Sequence, residues 1–239
     1  MPGKGVERAS TTNGMTSMEA SRVVATPDER EVAQVFDQLS TLASSAHADL
    51  LVGCRAVQPG DEFALSPSET FHLGGAISVV RRRSGAARVV ARALLHRLGS
   101  SSFDLPRTSN GAPRWPNGFV GSLSHDSELA VAAVAIQYPI ESVGIDVEPS
   151  LPLPAELIET VATPAEMVQL GNDLLSGRLL FSIKEAVYKA TNPIDGLFLD
   201  YHDVEVDLDK FTARTTTGHH LRFFAVRRPR ILSLIVILR

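Results

Sequence analysis

Residues 143–148 read VGIDVE, and the alternation in this stretch limits the chain more than any other feature. In a strand, successive side chains point to opposite faces. Val143, Ile145 and Val147 therefore enter a core while Asp146 and Glu148 share the other face. Two carboxylates held side by side repel each other, which costs free energy unless water or a cation stands between them. Two readings follow: solvated acids at a strand end, or a pair of hard oxygen ligands for a divalent metal such as Mg²⁺.

The rest of the chain sets the frame for that choice. It has 239 residues, 44% hydrophobic and 21% charged, an ordinary composition for one or two domains with their own cores. A net charge of −4 carries no signal for a nucleic-acid partner. Cys54 is the only cysteine. It excludes an internal disulfide and a multi-cysteine zinc site, and it fits a reducing, cytoplasmic setting. The longest apolar runs, such as LAVAAVAI at 129–136, are too short to span a bilayer, so no membrane partner is expected. Residues 1–26, rich in Ser, Thr, Gly and Met, contain no signal-peptide core and read as a disordered tail, with Met15 or Met18 as alternative starts.

Beyond the tail the spacing of Val32, Val35, Phe36 and Leu39 predicts a helix over 28–42. DLLVGCRAV (49–57) predicts a strand, and a second helix is expected over 86–98, closed by Gly99. Residues 100–118 are turn-rich. Strands are expected at 129–136 and 143–148, amphipathic segments at 155–162 and 164–175, and a helix at about 178–190. Val204, Val206 and Leu208 then alternate with acids, and LRFFAV (221–226) and ILSLIVIL (231–238) flank RRPR as a closing hairpin. The fold class is α+β, mostly antiparallel, in two halves: 27–139 and 140–239.

RLLFSIKEAVYKAT (178–191) adds a second acidic element. Phe181, Glu185 and Lys189 fall four residues apart on one helix face, Lys184 borders the polar side, and apolar residues cover most of the remainder. Glu185 and Lys189 form either a surface ion pair or, if the helix faces Asp146 and Glu148, part of a cluster suited to Mg²⁺ and a polyphosphate.

GIDVE (144–148) followed by FSIKEAVYKA (181–190), with NGAPRWP (110–116) and GSLSHD (121–126) upstream in that order, resembles the 4′-phosphopantetheinyl transferases. The likeness covers roughly 70–210 and points to the longer, monomeric, two-lobed subgroup, which serves siderophore, polyketide and nonribosomal-peptide synthesis. The resemblance implies a pseudo-twofold α+β fold and transfer of the phosphopantetheine arm of coenzyme A to a serine of an apo acyl or peptidyl carrier protein. Adenosine 3′,5′-bisphosphate would be released.

By that resemblance Asp146, Glu148 and Glu185 hold Mg²⁺, and Glu185 also accepts the serine proton. Lys189 and Lys184 contact the phosphates, and Ser124 and His125 bind coenzyme A. Gly111, Pro113 and Trp115 line the adenine. Arg81 or Arg82, with Arg88, meets the 3′-phosphate, although the family's eight-residue spacing between these arginines is off by one here. Leu151, Leu153, Leu157 and Ile158 are read either as carrier-docking residues or as core. Two other functions compete. One is a coenzyme A-binding regulatory module without transfer activity, which would have no use for a base. The other is a Mg²⁺-dependent phosphatase or nuclease, which would carry further acidic or Thr/Ser elements after the strand, whereas Pro149 follows here. A Ser124–His125 hydrolase dyad is disfavoured because neighbours on an extended chain point apart and no G-x-S-x-G turn accompanies them.

Overall fold

The computed structural model describes residues 27–71, 76–108 and 111–239; the expected N-terminal tail lies outside them. Among the described residues are six α-helices and eight strands, arranged in two lobes. The first lobe opens with α1, Glu29–Ala46. Asp28 caps it by accepting from the Glu31 amide at 2.7 Å, which satisfies one of the free N–H groups of the first turn. Strands β1 (Leu51–Ala56), β2 (Phe119–His125) and β3 (Leu129–Ile136) form an antiparallel sheet in the order β1-β3-β2. Seven of the eight residues of β3 are buried, as expected of a central strand covered on both faces.

The short α2 (Pro67–Phe71) precedes α3 (Ser78–Arg97), which packs Val90, Ala91, Leu94 and Leu95 on Ala132 and Val134. Helix α3 starts eight residues before the expected boundary. The basic run 81–83 is part of its first turns, and Gly85 sits inside it because a Cβ there would fall 1.9 Å from the Asp61 carbonyl oxygen. The expected end holds. Gly99 has φ +79°, its amide bonds to His96 O and that of Ser100 to Leu95 O, the paired bonds of a Schellman cap.

The second lobe contains β4 (Ile140–Pro149), α4 (Ile158–Val161), α5 (Pro164–Leu170), α6 (Leu174–Asp195) and strands β5 (Val204–Asp207), β6 (Thr212–Thr215), β7 (His220–Val226) and β8 (Arg230–Leu238). Its sheet runs antiparallel in the order β4-β8-β7-β6-β5. The closing hairpin is β7–β8. Strands β2 and β6 were not expected from the sequence, and α6 extends beyond 178–190 at both ends. Asp173 caps its start by accepting from the Leu175 and Ser176 amides, and Gly196, at φ +70°, ends it. No helix is long and apolar enough to cross a membrane among the described residues.

The lobes share a core. Val35 and Leu39 of α1 join Val131 and Ala133 of β3, Val143, Ile145 and Val147 of β4 and Leu232 and Leu234 of β8 in one buried cluster. The expected inward set of β4 is thus fully covered. Where the edge strands β2 and β4 adjoin, hydroxyls replace a backbone ladder: the Ile145 amide donates to Ser122 Oγ at 3.1 Å and the Val147 amide to Ser124 Oγ at 3.4 Å. Arg230 braces the same junction, bonding Glu31 of α1 at 2.8 Å and, at the β2–β3 turn, Asp126 at 2.8 Å and Glu128.

The other face of β4 lies under α6. A Cβ on Gly144 would fall 1.8 Å from Ala186 O and 2.8 Å from Ala190 N, so strand and helix touch main chain to main chain. A side chain there must push the elements apart. Gly144→Ala should therefore lower unfolding stability by about 3 kcal/mol or more in urea titrations, whereas Gly53→Ala, which meets only the movable Val90 and Leu94 side chains, should lower it far less.

Candidate active site

A cavity of about 970 Å³ opens between the lobes. It is bounded by α3, the loop 107–115, β2, β4 and α6. The loop is held shut by Thr108 N–Ala112 O at 2.8 Å and Arg114 N–Pro106 O at 2.7 Å. Gly111, at φ +87°, takes a conformation that a residue with a Cβ adopts at a cost. Gly111, Pro113 and Trp115 all line the cavity; Asn110, the first residue of the loop motif, lies outside the described residues. Gly121 makes room for the indole, since a Cβ there would come within 2.8 Å of the Trp115 ring.

Asp146, Glu148 and Glu185 line this same cavity, and each is held by a different donor. Asp146 is buried. Its Oδ1 accepts from Lys189 Nζ at 2.6 Å and from Ser124 Oγ at 2.7 Å. Its Oδ2 is buried with no hydrogen-bond partner. Lys189 also donates to Ile145 O at 3.3 Å and stands 3.1 Å from Ser124 Oγ. Glu148 accepts from Arg178 Nη1 at 2.7 Å. Burial and then the neighbouring Asp146 charge raise its pKa, and Arg178 only partly opposes them. Glu185 Oε1 accepts from the Tyr201 hydroxyl at 2.8 Å.

Among the described residues no three metal-binding side chains form a ready cluster. The donor set nevertheless suits a hard divalent cation: three carboxylates line one cavity, one oxygen of Asp146 is orphaned in a buried position, and Glu148 is disfavoured in its charged form by burial and then by its like-charged neighbour.

The opposite wall is cationic. Arg88 is 3% exposed. It donates through Nη1 to Ser84 Oγ at 2.6 Å and through Nε to Leu105 O at 3.3 Å, and it lies 3.6 Å from the buried Glu69. Burial pushes its pKa down to about 10, still charged at neutral pH. His125 and Arg107 join Arg88 on the cavity wall. Burial, Lys189 and Arg83 press the His125 pKa down to about 4, so the ring is neutral near pH 7. Ser124 contributes its hydroxyl to the seam and to the cavity at once.

Three expected contacts are corrected. Lys184 does not line the cavity. It is 1% exposed, and its three N–H groups are committed to Val161 O at 2.8 Å, Glu166 Oε2 at 2.7 Å and Tyr201 O at 2.9 Å. Arg82 is not on the wall either, since its guanidinium forks onto Glu62 at 3.0 and 3.2 Å. Arg81 is likewise absent from the lining. Of the leucines considered for docking, Leu153 is core and Ile158 packs against it, whereas Leu151 and Leu157 are exposed.

Arg107, Arg178 and Tyr201 were missed by the sequence reading. Arg107 stands within the turn-rich segment and Arg178 one turn before Phe181, so local position offered a faint signal for both. Tyr201 offered none. The Lys184–Glu166 pair predicts that Lys184→Met, which leaves the buried Glu166 without its counter-charge, costs about 3–5 kcal/mol of stability in chemical unfolding. Glu166→Gln with Lys184→Met together should recover much of that loss.

With this geometry in hand, comparison with known proteins is direct. The family model for the 4′-phosphopantetheinyl transferase N-terminal domain matches residues 69–135, and that for the 4′-phosphopantetheinyl transferase superfamily matches 142–230. The chain is 40% identical over 160 residues to the 4′-phosphopantetheinyl transferase Svp of Streptomyces mobaraensis, covering 63% of this chain and 65% of that protein. It is 34% identical over 152 residues to Npt of Nocardia iowensis, covering 62% and 68% respectively. It is 34% identical over 138 residues to PptT of Mycobacterium tuberculosis, covering 55% and 61%. The matched stretch thus spans about two thirds of the length of these relatives. One family model ends on β3 and the other begins on β4, so both walls of the cavity fall within matched sequence, and the chain belongs to the 4′-phosphopantetheinyl transferase superfamily.

Proposed function

We propose that this protein moves the 4′-phosphopantetheine arm of coenzyme A onto a serine hydroxyl of an apo acyl or peptidyl carrier protein and releases adenosine 3′,5′-bisphosphate. The observation that carries the reading is the cavity at the lobe junction. It sets Arg88, Arg107 and His125 against Asp146, Glu148, Glu185 and Lys189. A substrate with a phosphomonoester at one end and a pyrophosphate further along matches that charge layout, with cations at one wall and acids able to share a metal at the other.

In this reading the first lobe takes the adenosine 3′-phosphate. Arg88 is preorganised by Ser84, Leu105 and Glu69, and its Nη2 makes no hydrogen bond within the described residues. The neutral His125 ring offers a hydrogen bond without adding charge. Trp115, which lines the cavity beside Gly121, would take the adenine. Mg²⁺ would be held by Asp146, Glu148 and Glu185 and would offset the charge of the pyrophosphate.

The serine oxygen forms the new bond to the phosphorus that carries the pantetheine. The bond from that phosphorus to the bisphosphate oxygen breaks, and the serine proton passes to Glu185. A serine hydroxyl is a weak nucleophile at neutral pH, so a placed base is needed. Lys189, fixed by Asp146, stands beside the position where negative charge builds on the departing phosphate. No covalent enzyme intermediate is required.

Incubation with coenzyme A, Mg²⁺ and an apo carrier should raise the carrier's mass by one phosphopantetheine. Coenzyme A bound without mass gain would point to a regulatory module, and hydrolysis without a carrier to a phosphatase. Glu185→Gln should lower turnover by about 10²- to 10⁴-fold with the melting temperature held. Arg107→Ala should raise KM for coenzyme A by about tenfold or more while leaving KM for 3′-dephospho-coenzyme A nearly unchanged. Equal effects on both substrates would remove Arg107 from the 3′-phosphate site.

A further inference from the structure

The residues that fix Glu185 form a chain running from the buried side of α6 back to the cavity. Lys184 and Glu185 are sequence neighbours, so on the helix their side chains diverge by about 100°. One goes under the helix and the other into the cavity. Beneath the helix, Lys184 binds the carbonyl of Tyr201 and the carboxylate of Glu166. Glu166 in turn accepts from the amides of Thr163 and Val206 at 2.7 Å each, which joins α5 to β5. The backbone of Tyr201 is thereby pinned to a fully buried charge pair. Its ring rests against Phe181, with centroids 5.6 Å apart, and its hydroxyl returns to Glu185 Oε1. Glu185 Oε2 has no hydrogen bond from any described residue.

Carboxylate orientation is the loosest part of a glutamate. The torsion before the carboxyl group is broad, and fixing a long side chain costs entropy. A phenol donor at 2.8 Å removes that freedom on one oxygen and leaves the other for chemistry. We propose that Tyr201 is a positioning residue for Glu185. Its hydroxyl holds Oε1 so that Oε2 is presented to the nucleophile's proton, and Lys184 with Glu166 holds Tyr201. This rests on the base role given to Glu185 above. It also gives Lys184 a part in the site without contact to substrate.

Tyr201→Phe deletes the hydroxyl and keeps the ring against Phe181, so it isolates the hydrogen bond. The test is a single-turnover measurement of carrier modification, together with coenzyme A affinity by calorimetry without metal and a thermal melt. Loss of a hydrogen bond to a charged group should slow the single-turnover rate by about tenfold to a hundredfold. Coenzyme A affinity should stay within about twofold and the melting temperature should not move. An unchanged rate in an active enzyme overturns the proposal and leaves the base assignment standing. A slower rate accompanied by comparable losses of affinity or melting temperature also overturns it, because a purely structural tyrosine behaves that way. A wild-type protein that never modifies a carrier defeats the underlying transfer reading instead.

Discussion

The contact on which the architecture turns is that of Lys189 with Asp146 and Ser124. One ammonium group on α6 reaches the buried acid of β4 at 2.6 Å and stands 3.1 Å from the hydroxyl of β2. Helix, second-lobe strand and first-lobe strand meet there. Among the described residues the two edge strands are joined through side chains, the Ser122 and Ser124 hydroxyls accepting from β4 amides and Ser124 donating to Asp146. An uncompensated carboxylate at this depth would cost several kcal/mol, about the stability margin of a small domain. The lysine makes the junction tenable and leaves one oxygen of Asp146 unclaimed.

Around that point the lobes divide the charges. Arg88 and Arg107 come from α3 and the loop after it, with His125 on β2, while Asp146, Glu148 and Glu185 come from β4 and α6. Neither lobe holds a complete site. Helix α1 and Arg230 supply the reinforcement, the first by burying apolar residues against both sheets and the second by tying Glu31, Asp126 and Glu128 together. The registry of His125, next to Asp126, is thus set partly from the far end of the chain.

Much of this was readable from local pattern. The period-two alternation of 143–148 placed Val143, Ile145 and Val147 in the core, and the spacing of Phe181, Glu185 and Lys189 put all three on the cavity wall. Gly99 ended α3 as glycine caps do. Failures occurred where distant main chain overrides local preference. Strand β2 is rich in Gly and Ser because Trp115 and β4 approach it closely, so it lacks the apolar alternation that marks a strand. The first turns of α3 carry three arginines and Gly85, whose missing side chain answers to the Asp61 carbonyl. Lys184 and Lys189 flank the same glutamate in sequence, and only the position of Glu166 decides that the first is internal. The mutual repulsion expected of Asp146 and Glu148 is likewise offset in part by partners far along the chain, Lys189 and Arg178.

The backbone contact between Gly144 and the Ala186–Ala190 turn of α6 has a bearing on how such a site endures sequence drift. Helix-to-strand spacing is ordinarily set by the bulk of interleaved side chains, and each replacement shifts it by tenths of an ångström. Here the spacer is peptide against peptide, a gauge whose thickness no ordinary replacement elsewhere alters. Ile183 and Val187 can exchange shapes with their neighbours over generations while the distance between the acids of the strand and the acid of the helix keeps its calibration.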